Sequence, residues 1–343
     1  MKIQAFNNWN TSGRARFASF WEQELDPAFY APKADKAPRT YRDLFDEEFL
    51  NSCFFLPEAS FWAVENASDA PTPVACLVAA AAPTDDVNAA SDAALFGPFF
   101  ASDVADAEKE KVARALIEAT EQKLRERGFE RVYAGGAPPR ANDGEDEPTG
   151  SPLLNGVYGV GSPIGFFDAD PARQYFVDAG YEEGEAFVER RIDARALWAQ
   201  TMLPPGWIAR EAEPRRAPNW RLATIERNFP NAWTRAIENV AGNTTASLCA
   251  YELRAVAPDG QTTARLIVPR LRVAPECRGR QLEATLEALI AETVADANGR
   301  TPPGTRIARD ICVVVPEDGA ADQFLDNLDF TRGRRATALV KTL

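Results

Sequence analysis

Apolar residues recur at helical spacing in two long segments of the chain. Between about residues 107 and 127, and again between about 282 and 297, apolar side chains return every three or four positions, and Gly128 and Gly299 follow these segments. This spacing places the apolar side chains on one face of a helix. The pattern therefore predicts two amphipathic helices that pack against a core, one in each half of the chain.

Short apolar runs, predicted to be strands, flank both helices. Residues 95–100 and 130–134 flank the first helix, and residues 266–273 and 307–315 flank the second. Each half then ends with a short helix, an aromatic residue and a final strand, at 172–179, 181 and 186–192 in the first half and at 320–327, 330 and 336–341 in the second. The halves match element by element, so we predict an α/β (α+β) fold of two similar domains, each a mixed β-sheet flanked by helices.

The first half contains an insertion that the second half lacks. Its residues 141–150 are polar and acidic, which is typical of a solvated loop, and residues 152–167 are apolar and rich in glycine. Residues 193–202 look helical, and the Pro204-Pro205-Gly206 sequence that follows is typical of a linker. We therefore predict a first domain of residues 1–203 and a second domain of residues 204–343.

Composition excludes several classes of function. The 343 residues are 45% apolar and 26% charged, which is enough apolar material for two cores. The chain contains no histidine, and this excludes Ser-His-Asp and Cys-His catalysis and any metal site built on histidine. The 51 acidic and 38 basic residues give a net charge of -13, which opposes binding to nucleic acid.

Cysteine usage and hydropathy indicate a cytoplasmic protein. The five cysteines are widely spaced and form no Cys-x-x-Cys pair, so neither a disulfide framework nor a metal site is expected. The first residues lack the apolar core of a signal peptide, and no later run approaches the length needed to cross a membrane. We predict neither a membrane nor a nucleic-acid partner.

Residues 273–289 resemble the strand, pyrophosphate loop and helix of GNAT acyltransferases, which transfer acyl groups from acyl-CoA. The loop pattern of that family is Gln or Arg, two residues, Gly, one residue, then Gly or Ala; Arg278 matches its first position, whereas Gln281 and Glu283 replace the two later small residues. Residues 324–330 and 175–181 are similar to the family's helix that ends in Leu-Gly-Phe. These segments lie in both halves, so the chain resembles a tandem GNAT protein.

The resemblance implies that acetyl-CoA or another acyl-CoA binds the second half as co-substrate. Free N–H groups at a helix start and arginine side chains are both able to bind phosphate. In the alternative interpretation, the arginines of this segment only solvate a strand and a turn. The implied binding residues are Val273, Arg278, Gly279, Arg280, Gln281, Leu282 and Glu283.

The matching segment of the first half, residues 101–111, contains carboxylates and no glycine. Acids suit the start of a helix, where Asp106 is expected to cap the free N–H groups. The same acids repel phosphate. We therefore predict that the cofactor site of the first half is degraded.

The resemblance also implies a base for the attacking amine and often a tyrosine on the closing helix that protonates the leaving thiolate. Leu325 and Phe176 stand where this tyrosine is expected, and Tyr175 is one residue out of register. Each carboxylate near a predicted strand end is also explained as a solvated surface acid. The candidate catalytic groups are Glu252, Glu276, Glu317 and Tyr175.

Two functions follow from the resemblance. The first is an N-acyltransferase, most simply an acetyltransferase, in which a small amine acceptor attacks the thioester directly. The alternative is a non-catalytic tandem GNAT protein that binds acyl-CoA or another metabolite as a regulator or scaffold. The sequence Arg278-Gly279-Arg280 favours the enzyme, whereas the altered loops and the missing tyrosine favour the binding protein.

Overall fold

The computed structural model describes residues 1–6, 55–65, 72–81, 92–135, 166–194, 203, 205–211, 233–256, 262–273, 280–299 and 307–343. The strands of these ranges are β1 (Lys2–Ala5), β2 (Phe61–Glu65), β3 (Thr72–Ala81), β4 (Asp92–Phe100), β5 (Arg131–Ala134), β6 (Phe166–Phe167), β7 (Glu182–Asp193), β8 (Ile208–Glu211), β9 (Trp233–Glu238), β10 (Thr244–Val256), β11 (Thr262–Val273), β12 (Ile307–Pro316) and β13 (Thr331–Thr342). The helices are α1 (Asp106–Glu126), α2 (Pro171–Asp178), α3 (Arg280–Gly299) and α4 (Ala320–Asn327).

These elements confirm the mixed α/β fold class and the predicted repeat. In each half, a strand leads into a long helix and returns as a parallel neighbouring strand, as β4–α1–β5 and as β11–α3–β12. A short helix and a long final strand then close each half, as α2–β7 and α4–β13. The long helices begin and end within two residues of their predicted bounds.

The strands of the described ranges form one 13-stranded sheet, in the order β1-β2-β3-β4-β5-β13-β7-β12-β11-β10-β9-β8, with β6 paired to β13. The two sheets expected from the sequence are therefore joined edge to edge. The pairs β4·β5 and β11·β12 are parallel, and the other strand pairs are antiparallel.

The two final strands are exchanged between the halves. Strand β13, from the end of the chain, pairs with β5 of the first half, and β7, from the first half, pairs with β12 of the second. The two strands also pair with each other in the centre of the sheet. Each half of the sheet is thus completed by the other half of the chain, and the division at residues 203 and 204 stays a prediction from the sequence.

Each long helix covers its own core with the apolar face that the sequence predicted. In the first core, α1 contributes Leu116, Ile117 and Leu124, which are at most 1% exposed. In the second core, α3 contributes Leu289 and Ile290, which are fully buried. Within the described ranges, no helix combines the length and the apolar composition that crossing a bilayer requires.

The expected cap of α1 is wrong. Ala105 occupies the N-cap position in an extended conformation and offers no side-chain cap, and Asp106 is already the first helical residue. The Asp106 carboxylate instead accepts a hydrogen bond from Lys109 Nζ at 2.8 Å, because residues three apart on a helix are neighbours.

Two further predictions fall wholly or partly on residues that the structure does not describe. The predicted helix at 193–202 is wrong at its first residue, because Asp193 is the last residue of β7, and residues 195–202 lie outside the described ranges. The acidic segment 141–150 also lies outside them.

A buried ion pair attaches each final strand to a helix of the other half. On β7, Arg190 Nε donates to Asp322 of α4 at 2.5 Å, and its NH1 donates to Asp326 at 2.9 Å. On β13, Lys341 Nζ donates to both carboxylate oxygens of Glu121 on α1, at 2.8 and 2.9 Å. Asp322 and Glu121 are 3% and 4% exposed, so both need a cation nearby. Asp322 receives its cation from the exchanged strand, whereas Glu121 is shared between Lys341 and Arg125 of its own helix, at 2.9 Å.

The central pair of strands carries another buried carboxylate, Glu189 of β7. Arg334 of β13 binds it through two hydrogen bonds, at 3.0 and 2.8 Å, and Arg191 donates a third at 2.8 Å. Burial alone would raise the pKa of Glu189, but Arg334 and Arg191 outweigh burial, and the pKa is lowered. The guanidinium of Arg334 also lies 3.7 Å from the centre of the Phe167 ring.

Replacement of Arg190 by Met should lower the free energy of unfolding by about 3–5 kcal/mol, because Asp322 is left buried without its main cation. Denaturation in urea measures this change. The double variant Arg190→Met/Asp322→Leu should recover a large part of the loss, since an apolar pair leaves no uncompensated charge. Arg114→Met is the control, because that exposed guanidinium is 3.6 Å from Glu110 and should contribute less than about 0.5 kcal/mol. A double variant no more stable than Arg190→Met would contradict this account.

Acid should weaken the fold through Glu189. Because the pKa of Glu189 is lowered in the folded state, its carboxylate stabilises the fold above its ordinary pKa of 4.5, and this contribution disappears as the pH falls through the lowered value. Glu189→Gln should therefore be about 1–3 kcal/mol less stable than wild type at pH 7, and the difference should shrink below about pH 4. Urea titrations at several pH values test this, with the exposed Glu182→Gln as control. A difference independent of pH would show that the charge of Glu189 is not involved.

Candidate functional site

The parallel strands β11 and β12 part at their carboxyl ends. Their pairing ends at Val268 and Val313, although β11 continues to Val273 and β12 continues to Pro316. Beyond this point β11 is held by β10 and β12 is held by β7. The facing edges of the two strands have no partner strand in the described part of the chain. Ligands of open α/β sheets bind in such openings at the carboxyl ends of strands.

A helix begins close to this second-half opening. Val273 is the last residue of β11, and α3 starts seven residues later, at Arg280. The first N–H groups of a helix have no partner within the helix, so they provide donors for an anion. Four of the predicted cofactor-binding residues, Arg280, Gln281, Leu282 and Glu283, therefore lie in the first turn of α3. Of the other three, Val273 ends β11, and Arg278 and Gly279 lie outside the described ranges.

The first half contains an opening of the same kind between β4 and β5. Pairing of these two strands ends at Leu95 and Ala134, and β4 continues to Phe100 paired only with β3. Strand β6 pairs with Ala336 and Thr337 of β13. Because β7 occupies one edge of β13 at these residues, β6 lies on the other edge, which faces β5 and β4. The first-half opening is therefore narrowed by a strand that has no counterpart among the described residues of the second half.

Aromatic side chains pack around the first-half opening. The Phe166 ring of β6 lies 5.4 Å from the buried Phe176 ring of α2, which is 5.0 Å from the Tyr181 ring. The Tyr175 ring makes an edge-to-face contact with Phe100, the last residue of β4, at 5.7 Å. These contacts fill apolar space beside β4 and fix the position of α2.

The start of α1 beside this opening is acidic. Asp106 and Glu108 lie in the first turn of the helix, and Asp103 lies in the loop before it; all three are exposed. Lys109 is the cation that pairs with Asp106. Negative side chains at this position favour the helix dipole but oppose a phosphate ligand.

The candidate acid Tyr175 is half-buried and faces α1 rather than the second-half opening. Burial is the main cause that raises its pKa, and Lys109 opposes this effect. The hydroxyl is therefore neutral at ordinary pH. The structure places this candidate beside the first-half opening and places the candidate Glu317 directly after β12 in the second half, so the two belong to different openings.

The Glu317 carboxylate is already bound by two arginines. Arg335 Nε donates to it at 2.6 Å, and Arg332 pairs with its other oxygen. Its backbone N–H donates to the carbonyl of Ala186 at 2.9 Å. Glu317 therefore connects the end of β12 to the two final strands, which is a role in the fold rather than in proton transfer.

Two candidate catalytic carboxylates remain, Glu252 and Glu276. Glu252 lies on β10 opposite Leu266 of β11, and Glu276 lies outside the described ranges. At the positions expected for the tyrosine, Leu325 and Phe176 are both fully buried in the two cores. Neither side chain is able to supply a proton.

The residues that connect the final strands to the rest of the site were not predicted from the sequence. Arg332, Arg334 and Arg335 stand in a basic run just after α4, and this run was the available signal. It could not identify their partners, because the carboxylates Glu317 and Glu189 lie 15 or more residues away and meet them only through strand pairing.

Solved structures of GNAT proteins are similar to nearly the whole chain. A tandem GNAT protein from the clavulanic acid biosynthesis pathway, without AcCoA, matches with a TM-score of 0.54 and 14% identity over 99% of this chain and 98% of that chain. A GCN5-related N-acetyltransferase from Anabaena variabilis matches with a TM-score of 0.55 and 9% identity over 99% and 73%. One from Sphaerobacter thermophilus matches with a TM-score of 0.53 and 10% identity over 99% and 95%.

At these identities the similarity establishes the fold and not the activity. No protein-family model matches the sequence, and the search of curated proteins found no similar protein. The chain has the fold of these GNAT structures, as the resemblance in the sequence predicted.

Replacement of Glu317 by Gln should lower stability and leave ligand binding unchanged. Loss of the charge weakens two arginine contacts, so the free energy of unfolding should fall by about 0.5–2 kcal/mol. The dissociation constant for acetyl-CoA, measured by calorimetry, should stay within about twofold of wild type. Asp318→Asn is the control, since it makes the same charge change at the exposed neighbouring residue. Loss of amine-dependent turnover in Glu317→Gln at unchanged stability would identify Glu317 as a base instead.

Proposed function

We propose that this chain with a GNAT fold is an acyl-CoA-dependent N-acyltransferase whose co-substrate, acetyl-CoA or another acyl-CoA, binds the second half. The observation that carries the proposal is the opening between β11 and β12, with the start of α3 after it. The fold and the placement of this helix both support the proposal. The acceptor is a small amine.

The second-half opening suits the chemical groups of coenzyme A. Its pantetheine arm contains amides, which are able to pair with the free backbone edges of separated strands. Its phosphates suit the N-terminus of α3. Val273 stands at the end of the strand edge, and Arg278, Gly279 and Arg280 are the residues that we assign to the phosphates.

The first half suits the same ligand poorly. A phosphate and a carboxylate of Asp106 or Glu108, at about 6 Å and an effective dielectric constant of about 20, would repel by roughly 3 kcal/mol. This is more than the ~0.3–1 kcal/mol that a helix end contributes to anion binding. The exposed acids at the start of α1 therefore support the assignment to the second half.

In the proposed reaction, the nitrogen of a neutral amine attacks the thioester carbonyl carbon. A C–N bond forms, the C–S bond breaks, CoA leaves as a thiolate, and the amine nitrogen transfers a proton to water. Leu325 and Phe176, at the expected tyrosine positions, are buried hydrocarbon and donate no proton to the thiolate. Since a thiol has an ordinary pKa of about 8.5, the thiolate is able to leave unassisted in alkaline solution. Turnover should therefore rise with pH.

Acetyl-CoA at about a hundred times its dissociation constant should stabilise the protein by ~2.7 kcal/mol, which raises the melting temperature. The variant Arg278→Ala/Arg280→Ala should lose this shift. Lys109→Ala/Lys111→Ala is the matched control in the first half and should retain it. The assignment fails if no CoA ester raises the melting temperature, and the chosen half is wrong if the lysines prove necessary instead.

Catalysis itself is measured as release of free CoA thiol with a panel of polyamines, amino acids, aminoglycosides and peptide N-termini. We expect slow release that depends on the amine and increases with pH. Tyr175→Phe should change the rate little, because Tyr175 faces α1 in the first half and not the second-half opening. Binding of CoA without amine-dependent release from any of these acceptors would favour the non-catalytic alternative.

A further inference from the structure

The strand pairs that join the two halves lie on opposite sides of a single connection in the chain. The first half ends with β7 and the second half begins with β8, so Asp193 and Ile208 mark the ends of this connection. Strand β13 belongs to the second half but pairs with β5 of the first, and β7 belongs to the first half but pairs with β12 of the second. These strand pairs therefore fit equally well between two chains as within one.

The buried charges follow the same division. Arg190 of β7 is 2.5 Å from the carboxylate of Asp322 on α4, and these side chains are 6% and 4% exposed. Lys341 of β13 is 2.8 Å from the carboxylate of Glu121 on α1. A second half without a first half beside it leaves Asp322 without its cation, and an uncompensated buried charge is strongly destabilising. The second half thus requires a first half, whichever chain supplies it.

The connection between the halves is short for the distance that it covers. In the strand register, Asp193 is level with Leu253 of β10, whereas Ile208 is level with Thr244, nine residues away on the same strand. Those nine residues and five strand spacings separate the two ends by roughly 30–40 Å in a twisted sheet. The chain from Asp193 to Ile208 reaches about 50 Å when fully extended. Short connections with little slack favour the exchange of segments between chains.

Separated halves also expose strand edges that other chains are able to pair with. Without β13, strand β5 has a free edge, and without β7, strand β12 has one. Free edges pair with any strand that matches them. In a concentrated solution of folding chains, the matching strand comes either from the same chain or from a second copy.

We propose that two copies of this chain form a closed dimer in which the first half of each chain packs against the second half of the other. This exchanged dimer keeps the strand pairs β5·β13 and β7·β12 and the ion pairs of Asp322 and Glu121, which now join different chains. It has two-fold symmetry and needs no new contact surface, so it forms at low cost. Each second-half opening is then built from two chains, because the β7 that holds the end of β12 comes from the partner.

Refolding of the wild-type protein from urea at two chain concentrations tests the exchanged dimer. Segments joined by a short connection meet at an effective concentration of about 1 mM, so we expect monomer after refolding at about 1 µM and an increasing dimer fraction towards ~1 mM. Light scattering distinguishes the mass of one chain from that of two. The dimer should persist after dilution, because return to the monomer requires the halves to separate. Absence of a dimer at every concentration, or a dimer that dissociates at once on dilution, would overturn the proposal.

Reversal of one ion pair shows which chain supplies each half. Arg190→Asp and Asp322→Arg each bring like charges together in the monomer, so each variant refolded alone should unfold at a lower urea concentration than wild type. Refolded together, the two variants should form a dimer with one native pair and one reversed pair, because each chain carries one unchanged half. The mixture should therefore unfold near the urea midpoint of wild type.

The matched control is the double variant Arg190→Asp/Asp322→Arg, which places the reversed pair within one chain. It should refold as a monomer at low concentration, with a urea midpoint above those of the two single variants. A mixture that unfolds like the separate single variants, beside a folded double variant, would overturn the proposal. Where the double variant does not fold, the persistence of the wild-type dimer after dilution decides. Both experiments contain no acyl-CoA, so their outcome is independent of the proposed acyl transfer.

Discussion

The exchange of the two final strands is the constraint on which the described structure depends. Arg190 on β7 neutralises the buried Asp322 of α4, and Lys341 on β13 neutralises the buried Glu121 of α1. Each cation therefore comes from one half of the chain and each carboxylate from the other. Separation of the halves would leave Asp322 without its cation and would leave Glu121 with only Arg125 of its own helix, and an uncompensated buried charge costs several kcal/mol. It would also expose the paired edges of β5 and β12.

The same exchange determines where ligands are able to enter the sheet. Strand β7 holds the end of β12 while β10 holds the end of β11, so these parallel strands part after Val268 and Val313. In the first half, β6 narrows the equivalent opening and the start of α1 is acidic. A duplicated fold thus provides two openings with different chemistry. We assign acyl-CoA to the second opening.

Much of the fold could be predicted because the long helices and their flanking strands have strong local patterns. The exchange of strands could not, since a strand has the same alternation of side chains whichever neighbour it pairs with. Glu121 adjoins the apolar stripe of α1, and only the three-dimensional structure shows that Lys341 compensates its charge. Glu317 was predicted as a candidate base because it follows a strand, but its partners Arg332 and Arg335 come from the exchanged strand. The position of Glu317 after a strand could therefore be predicted from the sequence, whereas its role in the fold could not.

The crossing of β7 and β13 between the two halves is tested most directly by amide hydrogen exchange of the native protein in increasing urea. This measurement resolves the free energy of opening for each helix and strand. The account predicts that the amides of β7 and β13 exchange with the same free energy and the same urea dependence as those in the middle of α1 and α3. All four elements should then open in one cooperative transition. The account would be contradicted if β1–β5 and α1 opened at a lower free energy while β13 kept its protection, or if the two halves unfolded in separate transitions.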